Sequence, residues 1–452
     1  MRNTPELTIQ SKKSAILAGH TSKVQLLCKL LGADTPTDLP KRSPLHLSIV
    51  LDRSGSMSGR PLEEAKKCAS NIVKRLSSTD KVSIVTYDNN VDVVTPLTSV
   101  DDSSSIVRSI SGIHAGGMTN LFGGWEKGVE ELKGAVTDDS LSRVLILSDG
   151  CTNKGITDTE EIVRYCTNAT DHGITTSTYG LGEGFNEELM IQMANGGGGS
   201  SYYGETADDL DEPFSTEFDL LSSLCAKQIF MTFESTSPVK VLNTQVIKKE
   251  KGYHLNNLPY EGAVWLAFEI EVTHSLTEDG DGEIDLGSLN VVYTDLDGET
   301  HTLRQSFALP ALPPEAYADL VEDPEVAQRI VELKVSELQT QAKNAALHRD
   351  WDTVDGLVKQ VIGLGQVANN AWILGVAEEL KTLAEQRNQR LFAKEAMYSS
   401  SRLQKRHISS LRYDSSMDVS IADDDDVPSF LSRKARQGKA RRKKRDGNAN
   451  NS

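Results

Sequence analysis

Apolar and polar positions change rhythm three times along the chain, and each change marks a different kind of element. The run Leu47–Leu51 is apolar but for Ser48, and Val144–Leu147 is nearly continuous in its apolar character, as a strand buried on both faces should be. Between them, and on to about Leu224, short β-forming runs alternate with amphipathic stretches. The predicted strands are Leu45–Leu51, Val82–Tyr87, Val91–Val94, Val144–Leu147, Thr175–Tyr179 and Ser201–Tyr203. The predicted helices are Pro61–Leu76, Ser103–Ile110, Leu121–Leu132, Thr157–Asn168, Glu187–Met193 and Ala207–Ser223. Such alternation predicts an α/β unit with a doubly wound, mostly parallel sheet, with one antiparallel hairpin through Asp88-Asn89-Asn90.

After Cys225 the helical period disappears. Ile229–Phe233, Val239–Leu242, Val264–Ile270, Leu289–Tyr293 and Thr300–Phe307 alternate as strands of a small β-sandwich. Leu7–Gln10 and Val24–Cys28 read as two more strands ahead of the α/β unit, and two strands alone are marginal. They are expected to complete the sandwich, which leaves the α/β unit inserted within it. From Pro313 the period becomes helical, with a start at Asp323-Pro324, an αα-hairpin link at Arg349–Asp352, and helices over Trp351–Leu364 and Val367–Leu391. Beyond Met397 serine, aspartate and basic residues dominate, and a disordered charged tail is expected, with a short helix near 429–437. The expected boundaries are 1–42, 43–225, 226–312, 313–397 and 398–452, in keeping with 452 residues being too many for one core.

Charge and cysteine content narrow the function. The formal net charge is −17; residues 427–452 alone carry a net +8, so the remainder carries −25. An acidic body repels nucleic-acid phosphates, which argues against nucleic acid as its partner. Five scattered cysteines (Cys28, Cys68, Cys151, Cys166, Cys225) show no metal-finger or disulfide spacing. With no apolar run of about 18 residues and no secretory leader at Met1–Glu6, a cytoplasmic location without a membrane span is expected.

Candidate chemistry sits where the predicted parallel strands end. Asp52-Arg53-Ser54-Gly55-Ser56 follows the first buried strand, Gly116-Gly117-Met118-Thr119-Asn120 precedes a helix, and Ser148-Asp149-Gly150 follows the second buried strand. Ligands collect at the carboxyl edge of such sheets. Three hydroxyls and two carboxylates there make an oxygen-only shell suited to Mg²⁺, with Mn²⁺ or Ca²⁺ as alternatives. Taken singly, D-x-S-x-S is also a helix-capping turn and S-D-G an ordinary β-turn.

With all three segments in this order, residues 43–225 resemble a von Willebrand factor type A domain with a metal-ion-dependent adhesion site. The resemblance implies Ser54, Ser56 and Thr119 as direct metal ligands, and Asp52 and Asp149 as carboxylates acting through water. Met118 interrupts the more usual G-G-T-N, which puts the direction of Thr119 in question. The layout as a whole resembles bacterial-type cytoplasmic proteins with a β-sandwich and a helical tail. That resemblance implies a non-enzymatic scaffold whose metal takes an Asp or Glu of a partner protein, the partner coming from a kinase, phosphatase or ATPase system.

Two other classes compete. A metal-assisted hydrolase would use the same ion, yet the three loops offer no general base beyond the ligands. An extracellular adhesin or channel-associated subunit fits poorly with the cysteine count. Gly180–Gly184 lacks the spacing and the lysine of a phosphate loop, and Asp279–Gly282 and Asp295–Gly298 read as hairpin turns. Arg406–Ser410 suits a basic-directed kinase, and Asp423–Asp426 and Arg441–Arg445 read as solvated charge runs.

Overall fold

A computed structural model of the chain describes residues 2–36, 42–137, 139–149, 152–181, 186–204, 223–235, 237–243, 247–249, 252–273 and 283–405, with 210, 214, 218 and 221. Three strands come first: β1 (Glu6–Ser11), the two-residue β2 (Ile16–Leu17) and β3 (Thr21–Leu31). The α/β unit follows with β4 (Leu45–Asp52), β5 (Lys81–Tyr87), β6 (Val91–Ser99), β7 (Leu141–Ser148), β8 (Ile174–Leu181) and β9 (Gly198–Gly204). They form one sheet in the order β6-β5-β4-β7-β8-β9, parallel except for the edge hairpin β5–β6. All eight residues of β4 and all eight of β7 are buried, which explains their continuous apolar stretches Ile49–Leu51 and Val144–Leu147.

Helices cover both faces of this sheet. On one face lie α1 (Arg60–Arg75) and α2 (Ser103–Ser111), whose Leu62, Ala69, Ile72, Ile106 and Ile110 pack on Leu47, Ile49 and Leu145. On the other lie α3 (Leu121–Lys133), α4 (Thr159–Asp171) and α5 (Glu187–Gly196), which bury Trp125, Ile162 and Met190 against Val50, Val144 and Ile146. Most of the helix expected over 207–223 falls outside the described residues. Its described members Leu210, Phe214 and Leu221 are helical and belong to the first of these cores.

Asp80 pins the start of the sheet. Its buried carboxylate accepts from the Leu45 amide at 2.9 Å, the Ser77 amide at 2.7 Å and both Arg42 guanidinium nitrogens. Burial alone would raise its pKa, but these donors together hold it below the ordinary value. The stability it contributes is therefore complete above the unfolded carboxylate value of about 3.9 and disappears as pH falls through its lower folded value. Asp80→Asn is expected to cost about 2–4 kcal/mol in urea unfolding at pH 7. The difference from wild type should shrink in acid, and a difference independent of pH would refute the ionic role.

The remaining strands are β10 (Leu224–Glu234), β11 (Val239–Val241), β12 (Ile247–Lys249), β13 (Gly252–Leu255), β14 (Leu258–Pro259), β15 (Ala263–Thr273), β16 (Glu283–Thr294) and β17 (Thr300–Leu312). One sheet runs β1-β3-β15-β11 and the other β12-β13-β10-β16-β17-β2. The N-terminal β3 pairs with β15 from Thr21↔Thr273 to Leu31↔Ala263, so strands from both sides of the α/β unit share a sheet. Leu26, Leu30, Leu266 and Phe268 of this sheet meet Ile229, Met231, Leu289 and Val291 of the other.

Five helices close the described chain: α6 (Pro314–Ala318), α7 (Pro324–Leu347), α8 (Trp351–Val367), α9 (Ala371–Glu385) and α10 (Gln389–Lys405). Two expectations are corrected here. The single helix expected over Val367–Leu391 is broken twice, at Asn369 (φ 48°) and Arg387 (φ 51°), both left-handed turn positions. Residues 398–405, expected in the tail, are helical instead, because α10 runs on to Lys405, and the rest of the expected tail lies outside the described residues. Its polar Ser400 and Gln404 are buried by hydrogen bonds to Ser336 of α7 at 2.7 and 2.8 Å, which satisfies them without water. The expected helix near 429–437 lies outside the described residues.

The bundle touches both other units. Val326 and Leu333 of α7 pack on Leu27, Trp265 and Ala267 of the sandwich, and Lys29 pairs with Glu325 at 2.6 Å. Lys394 of α10 sits 3.3 Å from the Tyr203 ring centroid at the end of β9. Among the described residues no helix is long and apolar enough to cross a membrane.

Candidate metal centre

The carboxyl edge of the α/β sheet gathers the three loops that the sequence singles out. Asp52 ends β4, in register with Tyr87 at the end of β5. A short 3₁₀ turn, Gly55–Met57, then carries Ser54 and Ser56 back over the edge, their hydroxyls 3.2 Å apart. Two backbone hydrogen bonds tie this loop to the second one: Gly55 N to Gly117 O at 2.8 Å and Gly116 N to Arg53 O at 2.6 Å. The approach is close enough that a Cβ on Gly116 would overlap the Asp88 carboxylate, which accounts for glycine there.

The extra residue in the second loop resolves simply. Met118 projects outward, 49% exposed, with its amide on the Asn89 side chain at 2.8 Å. Thr119 is buried behind it, and its amide donates to Asn153 Oδ1 at 2.8 Å, which joins the second loop to the third. Asn120 caps α3 through Gly123 N at 3.2 Å. The third loop leaves β7 at Ser148, whose hydroxyl donates to Asp52 Oδ2 at 2.6 Å, and Asp149 follows, also buried. Gly150 and Cys151 lie outside the described residues, as do 182–185.

Asp52 is the electrostatic centre of the arrangement. It is fully buried, and its carboxylate accepts from Ser54 N at 2.8 Å, Ser148 Oγ and Tyr87 OH at 3.2 Å. All three donors are neutral. Burial pushes its pKa up to about 6 against the lowering effect of those bonds, and the Asp149 charge adds to the rise. The adjacent cation, Arg53, is turned away to Asp92 at 2.6 Å and Asp88 at 3.4 Å. A buried carboxylate served by neutral donors, with a second one buried beside it, fits a divalent cation, which would offset the penalty on the Asp52 charge. Among the described residues no three His, Cys, Asp or Glu side chains cluster as a metal site.

All five residues expected at the site, Asp52, Ser54, Ser56, Thr119 and Asp149, thus lie on loops at one sheet edge. Sequence reasoning missed Tyr87 and Ser148, which hold the Asp52 carboxylate. Their signal is position alone: each ends a strand adjacent to β4.

Comparison with known proteins bears on the fold that carries these loops. Residues 46–216 match the model of the von Willebrand factor type A domain, a common protein-interaction module, and this part of the chain is such a domain. An uncharacterized protein of Synechocystis is 31% identical over 205 residues, 45% of this chain and 47% of that protein. The chain thus spans about half the length of that curated relative. Among solved structures, von Willebrand factor type A from Catenulispora acidiphila superposes with a TM-score of 0.68 at 14% identity, covering 88% of this chain and 97% of that one. The ArnB paralog VWA2 from Sulfolobus acidocaldarius gives 0.60 at 17% identity, covering 88% and 98%. At such identities both likenesses concern the fold alone. They reach well beyond residues 46–216.

Proposed function

We propose that the chain is a metal-dependent protein-interaction scaffold. Ser54, Ser56 and Thr119 would hold Mg²⁺ directly, with Asp52 and Asp149 oriented behind them. The ion supplies an electrophilic position for an acidic side chain of a partner protein. Hydroxyl ligands add no charge to its first shell, so its affinity for an incoming carboxylate is preserved. Ser56 is exposed while Ser54, Thr119 and Asp52 are buried, so among the described residues a partner would meet the site at Ser56. The observation that carries the reading is the buried Asp52 carboxylate, bonded by neutral donors at the meeting point of three loops.

A cytoplasmic partner belonging to a kinase, phosphatase or ATPase system is part of the same proposal, and it rests on resemblance of layout. A hydrolase reading gains nothing from the geometry, because Asp52 and Asp149 would serve the metal and the nearby Asp88 carboxylate is held by Arg53 and the Asn90 amide. Capture from lysate tests the proposal, with wild type and Ser54→Ala each in Mg²⁺ and in EDTA. Partners should be retained only by wild type in Mg²⁺. Equal retention under all four conditions would refute metal gating.

A further inference from the structure

We infer that two copies of this chain join through the open edge of β17, their strands antiparallel about a two-fold axis at Gln305. The contact lies on the β-sandwich and is independent of the metal reading above.

The edge itself is the first argument. β17 runs thirteen residues, against about 5–6 for an ordinary strand. On one side β16 pairs with it from Thr300 to Pro310, while on the other β2 meets only Ala311 and Leu312. β1 faces β17 across the sandwich but belongs to the opposite sheet. Among the described residues no strand therefore takes up the outward backbone groups of Thr300–Pro310. Such a row of donors and acceptors is a template for another extended chain. Other edges of the molecule are guarded. β6 carries Pro96, and its Leu97 amide donates to the Glu131 carboxylate at 3.1 Å. Helix α10 lies over β9 at Tyr203, and β11 and β12 are three residues each. Thr300–Leu309 has no proline, lysine or acidic residue, and its one full charge is Arg304.

Self-complementarity is the second argument, and it selects a second copy as the occupant. Leu303 lies opposite Val291 and Gln305 opposite Leu289, both fully buried, so the odd-numbered residues of β17 face the core. Leu303 and Phe307 pack on that core yet stay only half-buried, as the last covered strand of an unfinished sheet would. Gln305 between them is half-buried too, and among the described residues its amide has no hydrogen-bond partner. In the antiparallel register centred on Gln305, Leu303 of one copy stands opposite Phe307 of the other, Arg304 opposite Ser306, and the two Gln305 amides meet. No like charges are directly opposed. On a chain of net charge −17, two copies repel each other less along a strand without acidic residues. Two-fold pairing also uses both open edges at once, so the assembly closes instead of growing into a fibre.

The register makes the contact testable in the full-length chain. Directly opposed residues have Cα atoms about 4.5–5.5 Å apart, a separation that a disulfide spans. Gln305→Cys should therefore form an intermolecular disulfide on mild oxidation, with wild type as the control for the native cysteines. Thr302→Cys should not, because its two copies stand six residues or about 20 Å apart along the strands. In a sedimentation dilution series starting at about 50 μM, above the micromolar end of interface affinities, wild type should be a dimer equally in Mg²⁺ and in EDTA. Ser306 is exposed, so its variants leave the fold intact. Ser306→Lys sets a lysine opposite Arg304 at two symmetric places and should weaken the dimer roughly 2–30-fold, whereas Ser306→Glu should tighten it by a similar factor. Arg304→Glu combined with Ser306→Lys should restore wild-type affinity. A monomer at the starting concentration would overturn the inference, whatever else then covers the edge. So would a dimer indifferent to the sign of the charge at position 306, or one that cross-links through Thr302→Cys and not through Gln305→Cys. A dimer that dissociates in EDTA would place the contact at the metal edge and overturn it equally.

Discussion

Deletion of residues 1–33 unfolds the β-sandwich while leaving the α/β unit intact. The strand removed with the greatest consequence is β3, which lies between β1 and β15 and carries the fully buried Leu26, Leu27, Cys28 and Leu30. Truncating a single buried leucine to alanine costs about 2–5 kcal/mol, and a whole domain has only about 5–15 kcal/mol. Losing three buried leucines and the full pairing edge of β15 exceeds that reserve. The bundle suffers too, because Leu27 and Lys29 are part of its seat on the sandwich. Calorimetry should show one cooperative transition missing, and limited proteolysis should digest 226–312 while sparing 43–225. Retention of both transitions would show that β15 finds another partner. Leu30→Ala in the full-length chain is the milder companion, destabilising by about 2–5 kcal/mol without loss of the fold.

The second large effect is on the response to magnesium. A ligand at one hundred times its Kd stabilises the native state by about 2.7 kcal/mol. For a unit of this size that raises the melting temperature by roughly 5–10 °C. Ser54→Ala and Thr119→Ala should each abolish the rise, because each removes a direct oxygen donor. Asp52→Asn should weaken it by about 10–100-fold in Mg²⁺ concentration, the range found when an outer partner of a metal site is lost. In the absence of metal the same Asp52→Asn protein should be no less stable than wild type, since a buried carboxylate close to Asp149 is already disfavoured. A Mg²⁺ response that persists unchanged in Ser54→Ala would place the ion elsewhere on the acidic surface.

Much of this was legible because certain residue patterns admit few conformations. A continuous run such as Leu47–Leu51 ending in Asp52 can serve as a buried parallel strand with its polar end at the sheet edge, and the three loops then fall into place by topology. The roles of Tyr87 and Ser148 were not legible, because they depend on register: neither residue differs from ordinary strand-end residues until β5 and β7 are aligned beside β4. The helix breaks at Asn369 and Arg387 carry no glycine or proline to announce them. The continuation of α10 through Ser399–Ser401 ran against composition, since serine in a charged neighbourhood reads as solvated chain. The facing Ser336 and Thr340 of α7, which bond Ser400, and the burial of Leu403 in the bundle core make a buried helix of it.

Titration of the purified full-length chain with Mg²⁺ by calorimetry probes the central claim most directly: that side-chain oxygens from three turns at one sheet edge clasp a single divalent ion. One ion per chain should be taken up by wild type and none at that site by Ser54→Ala. An absence of uptake at millimolar Mg²⁺ and Mn²⁺, or uptake indifferent to the loss of the Ser54 hydroxyl, would contradict it.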